Sequence, residues 1–382
     1  MARPLAVLML ALLGGAIPAA ARTIRVHAGG SIQAAVDAAR SGDVIAIGRG
    51  TYHEPGRPCP TDPSHTCAVV VDKDGLTLVG QALGVGGVVL ENRGGQDQGI
   101  AFARQGADGA SCLTDPAQRL QGAHLRGLAV NGFDGEGIFL FCVDDWSVDW
   151  CRTNDNAEYG IFPSHCGRGS ITFSAATGSD DTGIYVGQSH DVRVTANLAT
   201  GNVSGFEIEN SSNVRVDHNV ATGNTGGILS FTLPFLDVPQ NAHNQIDHNV
   251  VVDNDKPNTC IDPDDAVCGV LPGTGILVLA ADQNTVDHNV VLGNDTFGIA
   301  VANFCAAQGI DPDTCAALGI EPNSDDAHVL FNLVQGNGKH PDPGLISPVF
   351  AVDLAWDETG TGNCWKGNKA STSFPPMLPP CA

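Results

Sequence analysis

One short phrase occurs four times between residues 194 and 301, and it restricts the possible folds more than any other feature. Each copy is an apolar residue, two small or polar residues and an Asn. A second Asn follows five residues later, and then a Gly with apolar neighbours. Equivalents of the first residue recur upstream at intervals of 23 residues. The series runs Leu125, Val148, Ile171, Val194, Val216, Ile246 and Val286.

The length of the repeat indicates one turn of a parallel β-helix. About 22 residues hold three short strands and three corners, and apolar residues alternate with polar ones as they do in strands. One turn cannot bury its own apolar side, so turns stack at the strand spacing of about 4.8 Å. Later repeats are longer, which places the extra residues in loops at fixed corners. The sequence therefore predicts an all-β chain built as a single parallel β-helix.

The two Asn positions of the repeat become two ladders once the turns are stacked. Asn tolerates left-handed backbone conformations, and its amide can bond to the amide above. The alternative is a sugar-binding role, but amide stacking needs no ligand. We predict structural ladders. They contain Asn197, Asn219, Asn249, Asn289 and Asn332 in one column, and Asn156, Asn202, Asn224, Asn254, Asn294 and Asn337 in the other.

The amino terminus indicates export. Residues 1–21 contain Arg3, an apolar run and three Ala residues before Arg22, which is typical of a secretory signal peptide. This stretch is too short for a stable membrane anchor, and no other span is long and apolar enough to cross a bilayer. We expect a periplasmic or secreted protein, with the β-helix and its cap in residues 22–338 and a closing turn and cap in residues 339–382.

The beginning of the mature chain predicts a cap. A strand at Thr23–Val26 is followed by Ser31, a short amphipathic helix from Ile32 to Arg40, and a strand at Val44–Ile47. This order resembles the amino-terminal cap of right-handed parallel β-helix proteins of the pectate-lyase-like superfamily. The resemblance implies a right-handed helix. It does not select an activity, since members include lyases, epimerases, hydrolases and adhesins.

The charge excludes several partners. The chain carries a formal net charge of −23. Such a surface repels nucleic acid and anionic membranes and could collect divalent cations. An acidic polysaccharide would need a local basic patch or a bound metal to approach.

Twelve Cys residues in an exported chain indicate disulfides. Most of the close pairs would staple loop insertions or the carboxyl-terminal tail. The pairing of Cys112, Cys142, Cys151 and Cys166 is left open. The close pairs are Cys59 with Cys67, Cys260 with Cys268, Cys305 with Cys315, and Cys364 with Cys381.

The segment Glu158–His165 contains the strongest catalytic signal. It resembles the Tyr-Gly-Phe-Asp-Pro-His segment of alginate (mannuronan) C5-epimerases, which implies Tyr159 and His165 as acid and base at C5 of a uronate. Phe162 stands where that family has Asp, and Ser164 is added before the His. Proton abstraction beside a carboxylate also needs a cation. Arg152 and Arg168, in the same or the adjoining turn, could supply it. Alternatively, Tyr159 is a corner residue and His165 an exposed strand end.

A second cluster comes from the repeat itself. Stacking would place three Asp-His pairs within about 5 Å of their neighbours, where imidazoles could ligate a transition metal or an Asp-His pair could act as a base. Residues of a repeat usually serve the repeat, so a structural role is the favoured alternative. The candidate ligands are His218, His248 and His288 with Asp217, Asp247 and Asp287. Separately, an acidic insertion could hold Ca²⁺ through Asp253, Asp255, Asp262, Asp264 and Asp265. These residues lack the fixed spacing of an EF-hand loop, so a solvated acidic loop is the favoured alternative.

The leading hypothesis is an exported enzyme that acts on an acidic polysaccharide by proton abstraction at C5, as an epimerase or a lyase. The first alternative is a non-catalytic β-helix that binds glycans or acts at a cell surface. The second is a metal-linked periplasmic β-helix protein, which would use the His column. We expect a monomer that requires no cofactor, with Ca²⁺ as the one ion to consider, and no nucleic-acid partner.

Overall fold

The computed structural model describes residues 21–81, 87–261, 263, 265–342, 344 and 346–382. The predicted signal peptide, except for its last residue, lies outside the described residues. Asp262 and Asp264 of the acidic insertion lie outside them as well.

The described residues coil into a right-handed parallel β-helix in which a regular turn gives one strand to each of three large sheets. We name these sheets A, B and C in the order in which the chain visits them. The apolar residues of the repeat stack in register, Leu125 against Val148 and onward through Val216 to Val329, as predicted. Sheet A contains Thr23–Val26, Val44–Ile47, Thr77–Gly80, Leu120–Gln121, His124–Arg126, Val143–Asp149, Gly167–Thr172, His190–Thr195, Arg215–Asp217, Gln245–Asp247, Thr285–Asp287, His328–Leu330 and Cys364–Lys366.

Sheets B and C complete each turn, with a tight corner between A and B and longer connections between B and C. Sheet B contains Gly50–Tyr52, Val88–Glu91, Leu128–Asn131, Arg152–Asn154, Ala175–Thr177, Leu198–Thr200, Val220–Thr222, Val250–Val252, Val290–Leu292, Leu333–Gln335 and Lys369–Ala370. Sheet C contains Arg57–Pro58, Thr66–Val71, Gln98–Phe102, Ile138–Phe141, Ile161–Ser164, Thr182–Gly187, Ser204–Glu209, Gly226–Phe231, Thr274–Leu279, Phe297–Ala302, Leu354–Trp356 and Ser373–Phe374. A small extra pair joins Asn241–Ala242 to Ala281–Asp282.

The amino-terminal cap forms as predicted, with a slightly shorter helix. The helix Ile32–Ala38 begins after Ser31, whose side chain accepts a hydrogen bond from the Ala34 N–H. It ends before the predicted Arg40 because the Arg40 N–H donates to the Asp43 carboxylate at 2.8 Å, which turns the chain into sheet A. The other helices and 3₁₀ turns lie in insertions and loops. They are Gly109–Thr114, Pro116–Gln118, Ala266–Gly269, Phe304–Gln308, Pro312–Ala317 and Pro348–Phe350.

Both Asn columns form the predicted ladders inside the corners. The Asn219 amide, for example, donates to the Asn249 side-chain oxygen at 3.0 Å and to the Val194 carbonyl at 2.9 Å. The same oxygen of Asn249 accepts the Asn219 backbone N–H at 2.9 Å. The side chains therefore satisfy buried backbone groups at the corners, as a fold made mostly of corners requires.

Disulfides close the insertions. The four predicted pairs form, and Cys112 pairs with Cys142. Cys151 and Cys166 stay free and buried in the described chain. No helix within the described ranges is long and apolar enough to cross a membrane.

Candidate active site

The outer face of sheet C carries the candidate site. Core residues such as Phe206 and Ile208 point inward, so Glu207 and Glu209 of the strand Ser204–Glu209 point outward. Strand pairing stacks the outward side chains in two rows. The first row is Phe162, Tyr185, Glu207, Leu229, Leu277 and Ala300, and the second is Ser164, Gly187, Glu209, Phe231, Leu279 and Ala302.

A cavity of about 670 Å³ covers the middle of this face. Insertions after the strands of sheet B or sheet C form its walls, with Val267 and Val270 from one, Phe304 from the next and Phe350 from a third. Tyr159, Asp181, Tyr185, Glu207 and Glu209 line one end, which we call the acidic end.

The three carboxyl groups of the acidic end are deeply buried. The exposed fraction is 8% for Asp181, 3% for Glu207 and 6% for Glu209. Burial raises the pKa of Asp181, and the negative charge of Glu207 raises it further. Burial also raises the pKa of Glu207, and it raises that of Glu209 to about 7. These groups therefore hold protons at pH values where an exposed carboxyl is ionised.

Glu209 is distinguished by what surrounds it. Within the described part of the chain, its carboxyl has neither a hydrogen-bond partner nor an ion-pair partner, and burial alone shifts its pKa. Because Glu209 lines the cavity, its carboxyl can form hydrogen bonds with solvent or with a ligand there. A carboxyl that lines a cavity and lacks a protein partner is placed to bond a ligand.

Tyr159 closes the other side of the acidic end. Its ring contacts the rings of Phe162 and Tyr185, with centroids 4.5 and 5.1 Å away. Burial raises the pKa of the Tyr159 phenol well above its usual value, and the charges of Asp181 and Glu207 add to the effect. The phenol therefore keeps its proton and can donate a hydrogen bond.

The structure does not bring the four residues assigned to catalysis from the sequence together. Tyr159 and His165 lie beyond opposite ends of the strand Ile161–Ser164, whose four residues span about 13 Å. Arg152 is exposed on sheet B. Arg168 lies on sheet A, where its Nε donates to Asp145 at 2.9 Å. Of the four, only Tyr159 lines the cavity.

His165 is buried in a separate environment, next to the exposed Asp237. Its Nδ1 lies 2.9 Å from Ser164 Oγ, and its Nε2 lies 3.2 Å from a carboxylate oxygen of Asp237. Burial lowers the pKa of His165, against the opposing effect of Asp237. The three side chains form a Ser-His-Asp chain of hydrogen bonds, but none of them lines the cavity described above. Ser164 is one residue more than the epimerase motif has before its His. Ser164 therefore lies in the outward row, and His165 lies at the corner beyond it.

The His column forms a stack of parallel rings. The rings of His218, His248 and His288 stack in parallel, with centroids 5.1 Å apart. Two nitrogens bound to one zinc ion lie at most about 4 Å apart, because each Zn–N bond is about 2.0–2.1 Å. No group of three or more His, Cys, Asp or Glu side chains in the described ranges could hold a metal ion. Asp262 and Asp264 of the acidic insertion lie outside those ranges, so its Ca²⁺ site stays a prediction.

The Asp residues beside these rings serve the stack instead. Asp217 and Asp247 each accept a pair of hydrogen bonds, from Arg193 and Arg215 respectively, and the Nδ1 of each following His lies 2.8 Å from the same carboxylate. Asp287 contacts His288 in the same way at 2.7 Å. These contacts agree with the structural role that we favoured for the column.

Sequence reasoning missed Asp181, Glu207 and Glu209. A signal was present. In the following copies, the residues at the outward positions of the Gly-led strand are Leu229 with Phe231 and Leu277 with Leu279, whereas this copy has two Glu. Acidic residues that replace apolar ones at two outward positions of one repeat could have pointed to this turn.

Comparison with known proteins identifies the family. A family model described as the right-handed β-helix region matches residues 99–234 and 136–311, which together span more than half of the chain. The chain belongs to this right-handed β-helix family. No curated protein sequence matches the chain.

Several solved structures share the fold. The A-module of the Azotobacter vinelandii mannuronan C-5 epimerase AlgE4 has a TM-score of 0.59 at 17% identity, over 90% of this chain and 88% of that one. An alginate lyase from Paenibacillus sp. has a TM-score of 0.51 at 14% identity, over 92% and 97%. The tailspike protein of E. coli bacteriophage HK620, in complex with a pentasaccharide, has a TM-score of 0.57 at 12% identity, over 89% and 60%. At these identities the similarity shows the fold alone.

Proposed function

We propose that this protein acts on a polysaccharide and that the acidic end of the cavity is its reaction centre. The observation that carries the proposal is the convergence of Asp181, Glu207 and Glu209 on one cavity, with the buried Glu209 carboxyl lacking a partner among the described residues. The β-helix fold that the chain shares with the epimerase, the lyase and the tailspike adds support.

Cleavage of a glycosidic bond by water fits these groups best. Such a reaction needs one protonated carboxyl to protonate the leaving oxygen and one carboxylate to activate water or to attack the sugar. Glu209, with a pKa raised to about 7, holds the proton near neutral pH and is assigned as the acid. Asp181 and Glu207 compete for ionisation because each raises the cost of the other's charge, so one of them supplies the carboxylate.

The charge of the cavity favours an uncharged glycan over the acidic polysaccharide expected from the sequence. Among the described residues that line it, five carry carboxyl groups and none is Arg, Lys or His. A uronate bound there would bring its carboxylate close to the carboxylate that the reaction needs, with no cation among the described lining residues to offset the repulsion. The five are Asp181, Glu207, Glu209, Asp265 and Asp357.

Proton abstraction at C5 is the second candidate. It is favoured by the place of Tyr159 in the cavity beside Asp181. Because the Tyr159 phenol keeps its proton, it would act as the acid, and an ionised Asp181 or Glu207 would act as the base. This reaction would need a cation for the uronate carboxylate, and Ca²⁺ is the one that we would supply.

The compartment is also a proposal. Five disulfides join Cys residues of the described chain, which fits a protein that folds in an oxidising environment. Together with the predicted signal peptide, they favour a periplasmic or secreted location.

The test is proton NMR of a panel of neutral and uronate polysaccharides incubated with the protein in D₂O, with and without Ca²⁺. New reducing ends on a neutral glycan would support hydrolysis. Deuterium at C5 or unsaturated ends on a polyuronate would support the second candidate. Glu209→Gln should lower hydrolysis at least 100-fold, and Glu91→Gln, an exposed residue of sheet B, should leave it unchanged. No product from any glycan, or full activity in Glu209→Gln, would refute the proposal.

A further inference from the structure

The cavity has a second, chemically different end that the proposed reaction does not use. Beyond Glu207 and Glu209, the next three turns of sheet C present only apolar side chains in the two outward rows. At about 4.8 Å per turn, this apolar floor extends about 14 Å from the carboxyl groups. It consists of Leu229, Leu277 and Ala300 in one row and Phe231, Leu279 and Ala302 in the other.

The walls of this end are apolar as well, and each comes from a different insertion. Val267 and Val270 belong to the insertion closed by the disulfide Cys260–Cys268, and Phe304 lies beside the disulfide Cys305–Cys315. Ile346 and Phe350 come from the segment before the strand Leu354–Trp356, whose Trp356 also lines the cavity. The pure repeat would leave this face open, so the insertions build the walls.

The apolar side chains do not fill the space between them. One cluster packs Leu229, Phe231 and Leu279 under Phe304, and another packs Phe297 and Ala300 under Ile346 and Phe350. Leu277 contacts both clusters and remains half-buried. The cavity therefore opens on an apolar floor between two packed walls.

The chemistry of this end selects its occupant. Sugar hydroxyls placed there would lose water without gaining partners, which is unfavourable. An apolar chain would gain from burial, and a charged headgroup would find no cation on any described lining residue. The floor continues directly from the proposed reaction centre, so one substrate molecule can occupy both ends of the cavity.

We propose that the substrate is an uncharged glycan carrying an O-linked acyl group, with the sugar at Glu207 and Glu209 and the acyl chain along the apolar floor. This inference rests on the proposed function for the position of the sugar. The apolar end acts as a specificity site, because it binds an acylated sugar more tightly than the same sugar without the chain.

The test measures binding, which does not depend on turnover. Glucose carrying an O-acetyl, O-butanoyl or O-octanoyl group is titrated into the full chain by calorimetry and by Trp fluorescence. Each added methylene should tighten binding about fourfold, since burying one contributes roughly 0.8 kcal/mol. Trp356→Phe should remove most of the fluorescence change and keep the heat. Octanoate, which has a similar chain on an anionic head, should bind far more weakly.

Variants of the apolar floor and of the acidic end separate the possible outcomes of these titrations. Leu277→Asn should weaken octanoylglucose at least tenfold, while Leu198→Asn, an exposed Leu on sheet B, should not change its affinity. Glu209→Gln should keep the chain-length dependence, since it leaves the floor intact. Equal affinity for the three acyl sugars, or unchanged octanoyl binding by Leu277→Asn, would overturn the inference even if glycan cleavage is found. Chain-length dependence without any glycan turnover would instead overturn the proposed function and leave the acyl site in place.

Discussion

Replacing Glu209 by Gln should change how the stability of the protein depends on pH. Below pH 4.5 the carboxyl is protonated in both the folded and the unfolded chain. As the pH rises, the unfolded chain loses its proton around the ordinary Glu pKa of 4.5, whereas the folded chain keeps it until about pH 7. The wild type therefore loses stability between these values, at about 1.4 kcal/mol per pH unit, or roughly 3 kcal/mol in all.

Gln is close to Glu in shape but has no proton to lose. Burying the Gln amide changes the free energy of unfolding by the same amount at every pH. The way in which the difference in free energy of unfolding between variant and wild type changes with pH therefore reports on the carboxyl. This difference should rise by roughly 3 kcal/mol in favour of Glu209→Gln between pH 4 and pH 8. Urea unfolding of both proteins at several pH values measures it.

Asp217→Asn is the control of opposite sign. Burial, which would raise the pKa of Asp217, is outweighed by hydrogen bonds from Arg193, His218 and Thr195, so the pKa falls to about 2. Asp217 therefore adds stability that is present above about pH 4 and is lost as the pH falls through 2. The stability of Asp217→Asn relative to the wild type should accordingly fall as the pH rises from 2 to 4. A pH-independent difference for Glu209→Gln would mean that its carboxyl is solvated or paired, which would remove the basis for assigning it as the acid.

Further predictions concern the scaffold. Asn249→Ala should lower the free energy of unfolding, measured in urea, by about 3 kcal/mol. The reason is that it leaves the Asn219 N–H and the Val216 carbonyl without these hydrogen-bond partners. Ala196→Gly should raise the stability by up to about 1 kcal/mol, measured as a thermal shift, because Ala196 has a φ of 57°. Burial raises the pKa of the Cys151 and Cys166 thiols to about 12, so a thiol reagent should label both only after denaturation.

The fold could be predicted from the sequence because the repeat imposes it. Stacking forces equivalent residues into contact, so the spacing from Val194 to Val216 already gives the register between turns. The Asn ladders followed from the same logic, whereas the close disulfides followed from the short spacing of their Cys residues. Cys112–Cys142 could not be predicted, because its partners lie 30 residues apart and meet only when the helix Gly109–Thr114 folds back on sheet C.

The candidate site was much harder to predict, for a physical reason. Tyr159 and His165 are close in sequence, and a motif treats them as a pair, but an extended strand holds its two ends apart. Asp181 and Glu207 lie in different turns and meet only through stacking. The apolar walls come from insertions whose paths the repeat does not determine. A motif within one turn therefore says less about a β-helix site than a departure from the repeat between turns.

The ladders and the site are connected through register. Glu207 and Glu209 face the cavity only because Phe206 and Ile208 face the core, and a slip of one residue would exchange the two sets. The second ladder fixes this register immediately before the strand, where Asn202 donates to the Asn224 side-chain oxygen at 3.0 Å. Residues that contact no ligand thus determine which groups line the cavity. The repeat fixes the positions of the strands that carry the site, and the residues that depart from the repeat supply its carboxyl groups and its walls.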